Sequence, residues 1–306
     1  MKTKIAIIGA GRIAFSLTSA LLKGGYIVDA IISRKTNSAK ALAEKFGVKK
    51  YSDDINLISK SVNVFLLTVP DSEIKKIAVQ LSKLKLKFTT AFFIHFSGAE
   101  DISVLVPLKL KGGKTGSLHL MQTFPSKKIV NIRNVNSAIE TNDDSVYKFL
   151  LKLCSDLQLI SLRIDSKDKA YYHLAGVFAS NFLAGNLFNA QKLLSLNNID
   201  EQKYFHILSS TIHSTLQNIK TVGPAKALSG PVDREDIKTI RKHISSLRKK
   251  SKNSKGNYFS SLFKSYIIQS LNLINLVEEK HGELNKSHQN IRKLLVGELN
   301  NIEKSI

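Results

Sequence analysis

Cysteine is nearly absent: Cys154 is the only one in 306 residues. That excludes an intrachain disulfide and suits a reducing compartment, so a cytoplasmic protein is expected. Cys154 shares an apolar helical pattern with Phe149, Leu150 and Leu153 and reads as a small core hydrophobe, not a nucleophile. Long apolar runs are also missing. None reaches the roughly 18 residues of a membrane span, so no membrane partner is expected. The apolar stretch near the start resembles a secretory signal, but Gly9, Gly11 and Arg12 interrupt it. There is no internal repeat, no long low-complexity segment, and no pattern that calls for a metal.

Acidic residues are scarce: 24 Asp and Glu stand against 46 Lys and Arg, a net charge of +22. Such a surplus invites a nucleic-acid reading. Against it, the charge is mostly lysine, runs along the whole chain, and comes with no recognition-helix, RRM-like or zinc-finger pattern. It reads as solvated surface with a general attraction for anionic ligands, and nucleic acid is not expected as a partner. The densest run, Arg241 to Lys255, includes Arg248, Lys249, Lys250 and Lys252. It lies among Ser, Asn and Gly, which predicts a mobile loop.

The remaining composition is ordinary, with 43% hydrophobic residues, and the length suffices for two domains without a stabilising metal. Short apolar runs alternate with helical patterns through the first half. Ile5–Ile8, Ile27–Ile32, Val62–Val69 and Phe88–Phe96 read as buried strands. Ile13, Leu17, Ala20 and Leu21, closed by Gly24-Gly25, mark one helix face. Ala39, Leu42, Ala43 and Phe46, closed by Gly47, mark another, and Asp71 is placed to cap a third. Further strands are expected near 114–120, 136–140 and 157–164, with a helix over 143–156. Strands alternating with helices predict an α/β, doubly wound, mostly parallel sheet.

Beyond about residue 166 the pattern is all helical. Ala170–Leu194 is apolar on most sides, which predicts burial inside a domain or a subunit interface. The expected division is a cofactor-binding domain over 1–165 and a helical substrate and dimerisation domain over 166–306.

Gly9-Ala10-Gly11-Arg12-Ile13-Ala14 follows a strand and opens a helix, the GxGxxA form of the dinucleotide fingerprint. Gly9 permits the tight turn, Gly11 lets the backbone approach a pyrophosphate, and Ala14 allows close helix–strand packing. The helix N-terminus then favours the phosphates. Residues 4–33 thus read as a dinucleotide-binding βαβ start. The second strand ends in Ile32-Ser33-Arg34-Lys35-Thr36. Ser33 stands near the place of the acid that would bond an NAD ribose, and the two cations would attract a 2′-phosphate. Asp29 comes too early, inside the strand. NADP(H) is therefore the expected cofactor.

Thr68-Val69-Pro70 lies at the carboxyl end of a strand, where such sheets place ligands; a plain helix start explains it equally. Ser97 and Gly98, after His95-Phe96, could approach the nicotinamide or substrate, or simply make a turn. His119 stands on an otherwise apolar strand end, where a histidine is structural or catalytic. His173 opens the long helix, with Val177, Ser180 and Ala184 on its face and Asn181 near its edge. Buried polar groups there require partners and specify packing or a site.

The chain resembles the 6-phosphogluconate dehydrogenase-like superfamily, whose members join an N-terminal Rossmann domain to a helical C-terminal domain. Within it, the sequence is similar to dehydrogenase-like oxidoreductases with a C-terminal domain of unknown function. The resemblance rests on His95-Phe96-Ser97-Gly98-Ala99, Ser117-Leu118-His119, Tyr172-His173-Leu174-Ala175 with Asn181, and Gly223-Pro224-Ala225-Lys226-Ala227-Leu228-Ser229-Gly230-Pro231 with Arg234 and Asp236. The plain reading of the last stretch is a helix–helix connection, with Asp233 as N-cap and Asp236 in the first turn. Two departures stand out. Leu120 replaces the proline usual after the histidine at 119. Val177 and Phe178 occupy the places where hydroxyacid and ketopantoate reductases carry a lysine before the asparagine. Tyr172-His173-Leu174 and His119-Leu120-Met121 look partly like the histidine stretches of prephenate dehydrogenases.

The resemblance implies an oxidoreductase moving hydride between NADP(H) and a small carbonyl, hydroxyl or imine compound. His173 would be the proton donor or acceptor, with His119, Ser97 and Asn181 orienting the substrate. Arg234 would hold an anionic group, from a neighbouring subunit of a homodimer. The missing lysine keeps open a second reading, an NADP(H)-binding sensor or scaffold without turnover. Expected cofactor contacts are Gly9, Gly11, Arg12, Ile13, Ser33, Arg34, Lys35, Thr68, Val69 and Pro70.

Overall fold

In a computed structural model, which describes residues 3–200, 203–254 and 256–304, strands and helices alternate from the start. The order is β1 (Lys4–Ile8), α1 (Arg12–Lys23), β2 (Ile27–Ile32), α2 (Thr36–Phe46), β3 (Lys50–Ser52), β4 (Val64–Leu67), α3 (Asp71–Ser82), β5 (Phe92–His95), α4 (Val106–Lys109), β6 (Lys114–Leu120), β7 (Asn136–Glu140), α5 (Asp144–Asp156) and β8 (Ile160–Arg163). They form one eight-stranded sheet in the order β3-β2-β1-β4-β5-β6-β7-β8. Every neighbouring pair is parallel except β6–β7. The doubly wound, mostly parallel α/β sheet expected from the sequence is present.

Alternation along the strands builds a core on each side of the sheet. Ile5 and Ile7 of β1 join α1, α2 and α5 on one face. Ala6 and Ile8 join Ile74, Ala78 and Leu81 of α3 on the other. Each fully buried Leu or Ile of these layers contributes about 2 kcal/mol. Cys154 is buried in the first core beside them, and burial pushes its thiol up to about 12. It packs as a hydrophobe.

Several boundaries differ from the sequence reading. The run at Phe88 starts as a short 3₁₀ turn, Phe88–Thr90, before β5. Strand β3 was not expected; at three residues it is too short to show a period. Pro70 occupies the N-cap of α3, and Asp71 is the first helical residue, without a side-chain cap bond.

From Lys169 onward the described chain is helical: α6 (Lys169–Gly176), a π-helical stretch over Val177–Phe182, α7 (Leu183–Ser195), α8 (Tyr204–Ala227), α9 (Ile237–Asn253), α10 (Tyr258–His281) and α11 (Lys286–Glu303). The chain divides into two compact units, Met1–Ala184 and Gly185–Ile306, so the spatial division falls within α7. The sequence changes character earlier, near residue 166, where the strands end.

Two expectations are corrected in this half. Ala170–Leu194 is not buried all round within its own chain: Tyr171, Leu174, Phe178 and Phe182 are 75%, 46%, 60% and 49% exposed. The basic run beginning at Arg241 is helix rather than loop as far as Asn253, while Lys255 lies outside the described residues. Ile240, Ile244 and Leu247 recur at helical spacing and bury against Phe263, Ile267, Ile274 and Ile291 of α10 and α11. The charges then ride on the outer face.

Among the described residues, no helix is long and apolar enough to cross a membrane.

Candidate functional site

The glycine turn after β1 is clamped from both neighbouring strands. Gly9 N–H donates to the Ile32 carbonyl at 2.7 Å, and the Thr68 hydroxyl donates to the Gly9 carbonyl at 2.6 Å. Gly9 has φ +108°, and a Cβ there would stand 2.5 Å from the Thr68 carbonyl oxygen, so only glycine fits. Helix α1 then starts at Gly11 with no capping side chain and no acid in its first turn. Its first N–H groups are left for an anion. Helix α2 starts the same way at Lys35.

Both helix starts open into one cleft of about 530 Å³, lined by Gly9, Ala10, Gly11, Ser33, Arg34, Lys35, Ser38, Thr68, Val69 and Pro70, with the acids Asp53 and Glu73 on its wall. Of the expected cofactor contacts, two stand apart from this lining. Arg12 is exposed at the first position of α1, and Ile13 packs against the core beneath. Asp29, inside β2, pairs with Lys50 at 3.3 Å and is not at the cleft. A dinucleotide fits these residues: paired uncapped helix starts, a turn where a side chain has no room, and two cations at the second strand's end.

A second cleft, about 280 Å³, is lined by His119 and Leu120 at the end of β6, by Met121, Gln122 and Thr123 beyond it, and by His173, Gly176, Val177, Ala179, Ser180 and Asn181. His173 and Asn181 therefore share one cleft. The π-helical stretch makes this possible, because its i→i+5 winding turns less per residue than an α-helix and brings Asn181 back to the side of His173. No pattern in the sequence distinguishes this winding from an ordinary helix.

The rings of His119 and His173 meet edge to face with centroids 5.9 Å apart, and Tyr172 meets His119 at 5.6 Å. Gly98 lies against the same pair: a Cβ there would stand 2.5 Å from His173 Cδ2 and 2.7 Å from His119 Nε2. Ser97 is buried. Its hydroxyl accepts the N–H groups of Ala99 and Glu100, so it shapes the turn that Gly98 completes.

Beneath this pair lies His95, fully buried. Its Nδ1 accepts the Ser97 N–H at 3.2 Å, which leaves the proton on Nε2. Burial, and next the Lys169 ammonium, push its pKa down to about 3. His119 is pushed down to about 4 by burial, then by His173 and Lys169. Among the described residues, His95 Nε2, His119 Nδ1 and the Tyr172 hydroxyl are buried without a hydrogen-bond partner. Three orphaned polar atoms in one corner are characteristic of a site awaiting a ligand or water.

Sequence reasoning missed two residues of this corner, Lys169 and Glu140. They form an ion pair at 2.7 Å with both side chains 2% exposed. Each carries a weak local signal, a charge at the edge of an apolar segment, but nothing in the sequence joins positions 29 apart. No cluster of described His, Cys, Asp or Glu residues has the arrangement of a metal site.

In the second unit, α8 kinks at Gly223 and ends at Ala227; the rest of the stretch to Asp236 is a connection, as its plain reading had it, but the N-cap is Asp236 and not Asp233. Asp236 caps α9, accepting the Thr239 N–H at 3.0 Å. Asp233 accepts the Lys280 ammonium at 2.9 Å, while Lys280 also reaches the Leu228 carbonyl. The cap falls to Asp236 because Glu235, with φ +61°, turns the chain just before the helix. Arg234 is exposed.

Comparison with known proteins agrees with this architecture. The chain matches solved structures of a Bacteroides fragilis protein named as a proposed NADP oxidoreductase (24% identity, 89% of this chain and 98% of that one, TM-score 0.73) and of a Thermotoga maritima protein (23%, 90% and 99%, TM-score 0.65). It also matches a reductive aminase from Aspergillus terreus in complex with NADPH (9%, 98% and 95%, TM-score 0.56). At these identities the likeness is one of fold. No curated protein matches the sequence. Residues 1–120 match a Rossmann-like domain, and residues 135–263 match a domain of unknown function, DUF2520. By these two matches the chain joins a Rossmann-like domain to a DUF2520 domain, the arrangement that its sequence resembles.

Proposed function

We propose that this protein is an NADP(H)-dependent oxidoreductase acting on a small carbonyl, hydroxyl or imine compound. The observation that carries the reading is the histidine corner at the carboxyl ends of β5 and β6, in the same unit as the dinucleotide-shaped cleft. The N–H groups at the start of α1 would hold the pyrophosphate, and Arg34, Lys35 and Ser33 the 2′-phosphate. Thr68, Val69 and Pro70 would border the ribose and nicotinamide. When bound, NADPH supplies the hydride.

The chain's own residues supply the proton and the orientation. His173 gives a proton to the developing oxyanion or amine, or takes one in the reverse direction. His119 is uncharged near neutrality and offers its ring nitrogens to the substrate. Asn181 donates and accepts across the cleft, and the Ser97 hydroxyl keeps its own proton available to donate. We assign the protein to the cytoplasm, in keeping with its one buried thiol, and its oligomeric state to a homodimer through the helical half. Arg234, exposed, would serve an anionic substrate group of the neighbouring subunit.

The test is NADPH oxidation over a panel of 2-keto acids, ketones and imines, with His173→Ala as control. That variant should lose about a hundredfold or more in kcat while keeping NADPH affinity. Full activity in it would remove the assignment. A second reading, an NADP(H)-binding sensor without turnover, is favoured by one observation: Val177, not a lysine, faces the cleft. Tight NADPH binding with no oxidation across the panel would select it.

A further inference from the structure

The buried pair of Lys169 and Glu140 has no part in the reaction so far described. Lys169 is the first residue of α6 and Glu140 the last of β7. The Lys169 ammonium donates to Glu140 Oε2 and to the Ser117 hydroxyl, both at 2.7 Å. Ser117 donates in turn to Glu140 Oε2 at 3.0 Å. The other carboxylate oxygen accepts the Ile102 N–H at 3.0 Å and the Ser166 hydroxyl at 2.6 Å. Both carboxylate oxygens are thus satisfied, and α6 is tied to two strands at once.

A buried ion pair is a poor source of stability compared with apolar groups of the same size, so its use here is sought in geometry. Ser117 and His119 are alternate residues of β6 and lie on the same side of the sheet. Tyr172 and His173 stand one helical turn beyond Lys169 and share its face of α6. The link from Lys169 to Ser117 therefore joins strand and helix one step behind the point where His119 meets Tyr172 and His173.

We propose that Lys169, braced by Glu140 and Ser117, is the positioning residue that sets the His119–His173 pair in the arrangement its chemistry needs. The proposal rests on the reading of these histidines as the proton-handling and substrate-orienting groups. The charged and titratable groups around the ammonium are Glu140 from β7, Asp101 and His95 beyond and on β5, Asp71 at the start of α3, and His119 on β6. Asp101 and Asp71 act on Lys169 more weakly than Glu140 does. The cation therefore acts on His95 and His119 from behind and disfavours a proton on either ring, in the same direction as their burial.

The experiment is a pH titration by NMR on the full chain with labelled histidine rings, together with ring–ring NOEs. The variants are Lys169→Met/Glu140→Gln, which removes both charges, and Ser117→Ala, which keeps the ion pair and removes only the link to β6. Wild type is expected to show His119 titrating near pH 4 with NOEs to His173 and Tyr172. In the double variant the His119 midpoint should rise, while burial and His173 still hold it below the ordinary histidine value, and those NOEs should weaken. In Ser117→Ala the NOEs should weaken while the low midpoint persists. If both variants fold with wild-type NOEs and an unchanged His119 midpoint, Lys169 is a structural residue and the proposal fails. These readouts need no turnover: an inactive wild type would sink the proposed reaction and leave the positioning result standing. In an active enzyme, Ser117→Ala should lower kcat about tenfold with the KM for NADPH unchanged.

Discussion

Thr68 at the end of β4 donates its hydroxyl proton to the carbonyl of Gly9, 2.6 Å away in the turn after β1. One strand thereby holds the loop that another strand carries. Thr68→Val keeps the shape and removes the bond, a change of about 1 kcal/mol. We expect NADPH affinity to weaken roughly fivefold, measured by fluorescence titration, with a small change in Tm. Gly9→Ala should be more severe, since its Cβ would collide with the Thr68 carbonyl. Wild-type affinity in Gly9→Ala would show that the turn does not hold the cofactor.

Arg34 lines the same cleft beside Lys35, and no acid ends β2. Arg34→Ala should weaken NADPH binding tenfold or more, as loss of a charge-assisted bond implies, and leave NADH binding as it was. The check is a thermal-shift comparison of the two cofactors. Stabilisation by NADH alone in the wild type would overturn the 2′-phosphate assignment.

Acid should destabilise the protein well before its carboxylates titrate. In the unfolded chain His95 takes a proton below about pH 6.5; in the folded chain it resists down to about 3. The unfolded state binds more protons in that window, so stability falls as pH falls through it, by roughly 3 kcal/mol at pH 4. His119 acts in the same direction, down to about 4. Urea unfolding at pH 7, 5 and 4 measures this. His95→Asn, whose side-chain oxygen can still accept the Ser97 N–H, should flatten the slope. An equal slope in that variant would place its source elsewhere.

Phe178 and Phe182 pack edge to face at 4.8 Å yet are each about half exposed or more. Together with Tyr171 and Leu174 they form an apolar stripe that a second copy would cover. Sedimentation should give a dimer at micromolar concentration, and Phe178→Glu should shift it toward monomer. A wild type that sediments only as monomer rejects the homodimer.

The parts of this molecule that were legible in sequence are those whose cause is local. The strand–helix alternation follows from period, and the glycine turn from a backbone conformation that only Gly9 can adopt. In the basic run, composition and period disagree: Ser, Asn and Gly suggest a loop, while Ile240, Ile244 and Leu247 carry the helix that forms. Asp233 and Asp236 could not be told apart, since either acid can cap and the strained turn at Glu235 decides. His119 and His173 were visible as polar residues on apolar elements. Their partners were not: Lys169, Glu140 and His95 come together only when β5, β6 and β7 are laid side by side, and no spacing in the chain encodes that neighbourhood.

The π-helical stretch over Val177–Phe182 contains no buried side chain, so replacements there should cost the fold little, whatever they do to the cleft or to the exposed apolar stripe. Its length is another matter. In an ordinary α-helix the eight steps from His173 to Asn181 would turn about 800° and leave the two side chains about 80° apart; the wider winding absorbs the excess. Inserting one residue between them would turn Asn181 by about 100° relative to His173 and out of the cleft, although no side chain of the site had been altered. Deleting one before Asn181 would instead let the segment close into ordinary α-helix with Asn181 seven residues on, still on the side of His173, so the stretch should tolerate loss of a residue better than gain of one.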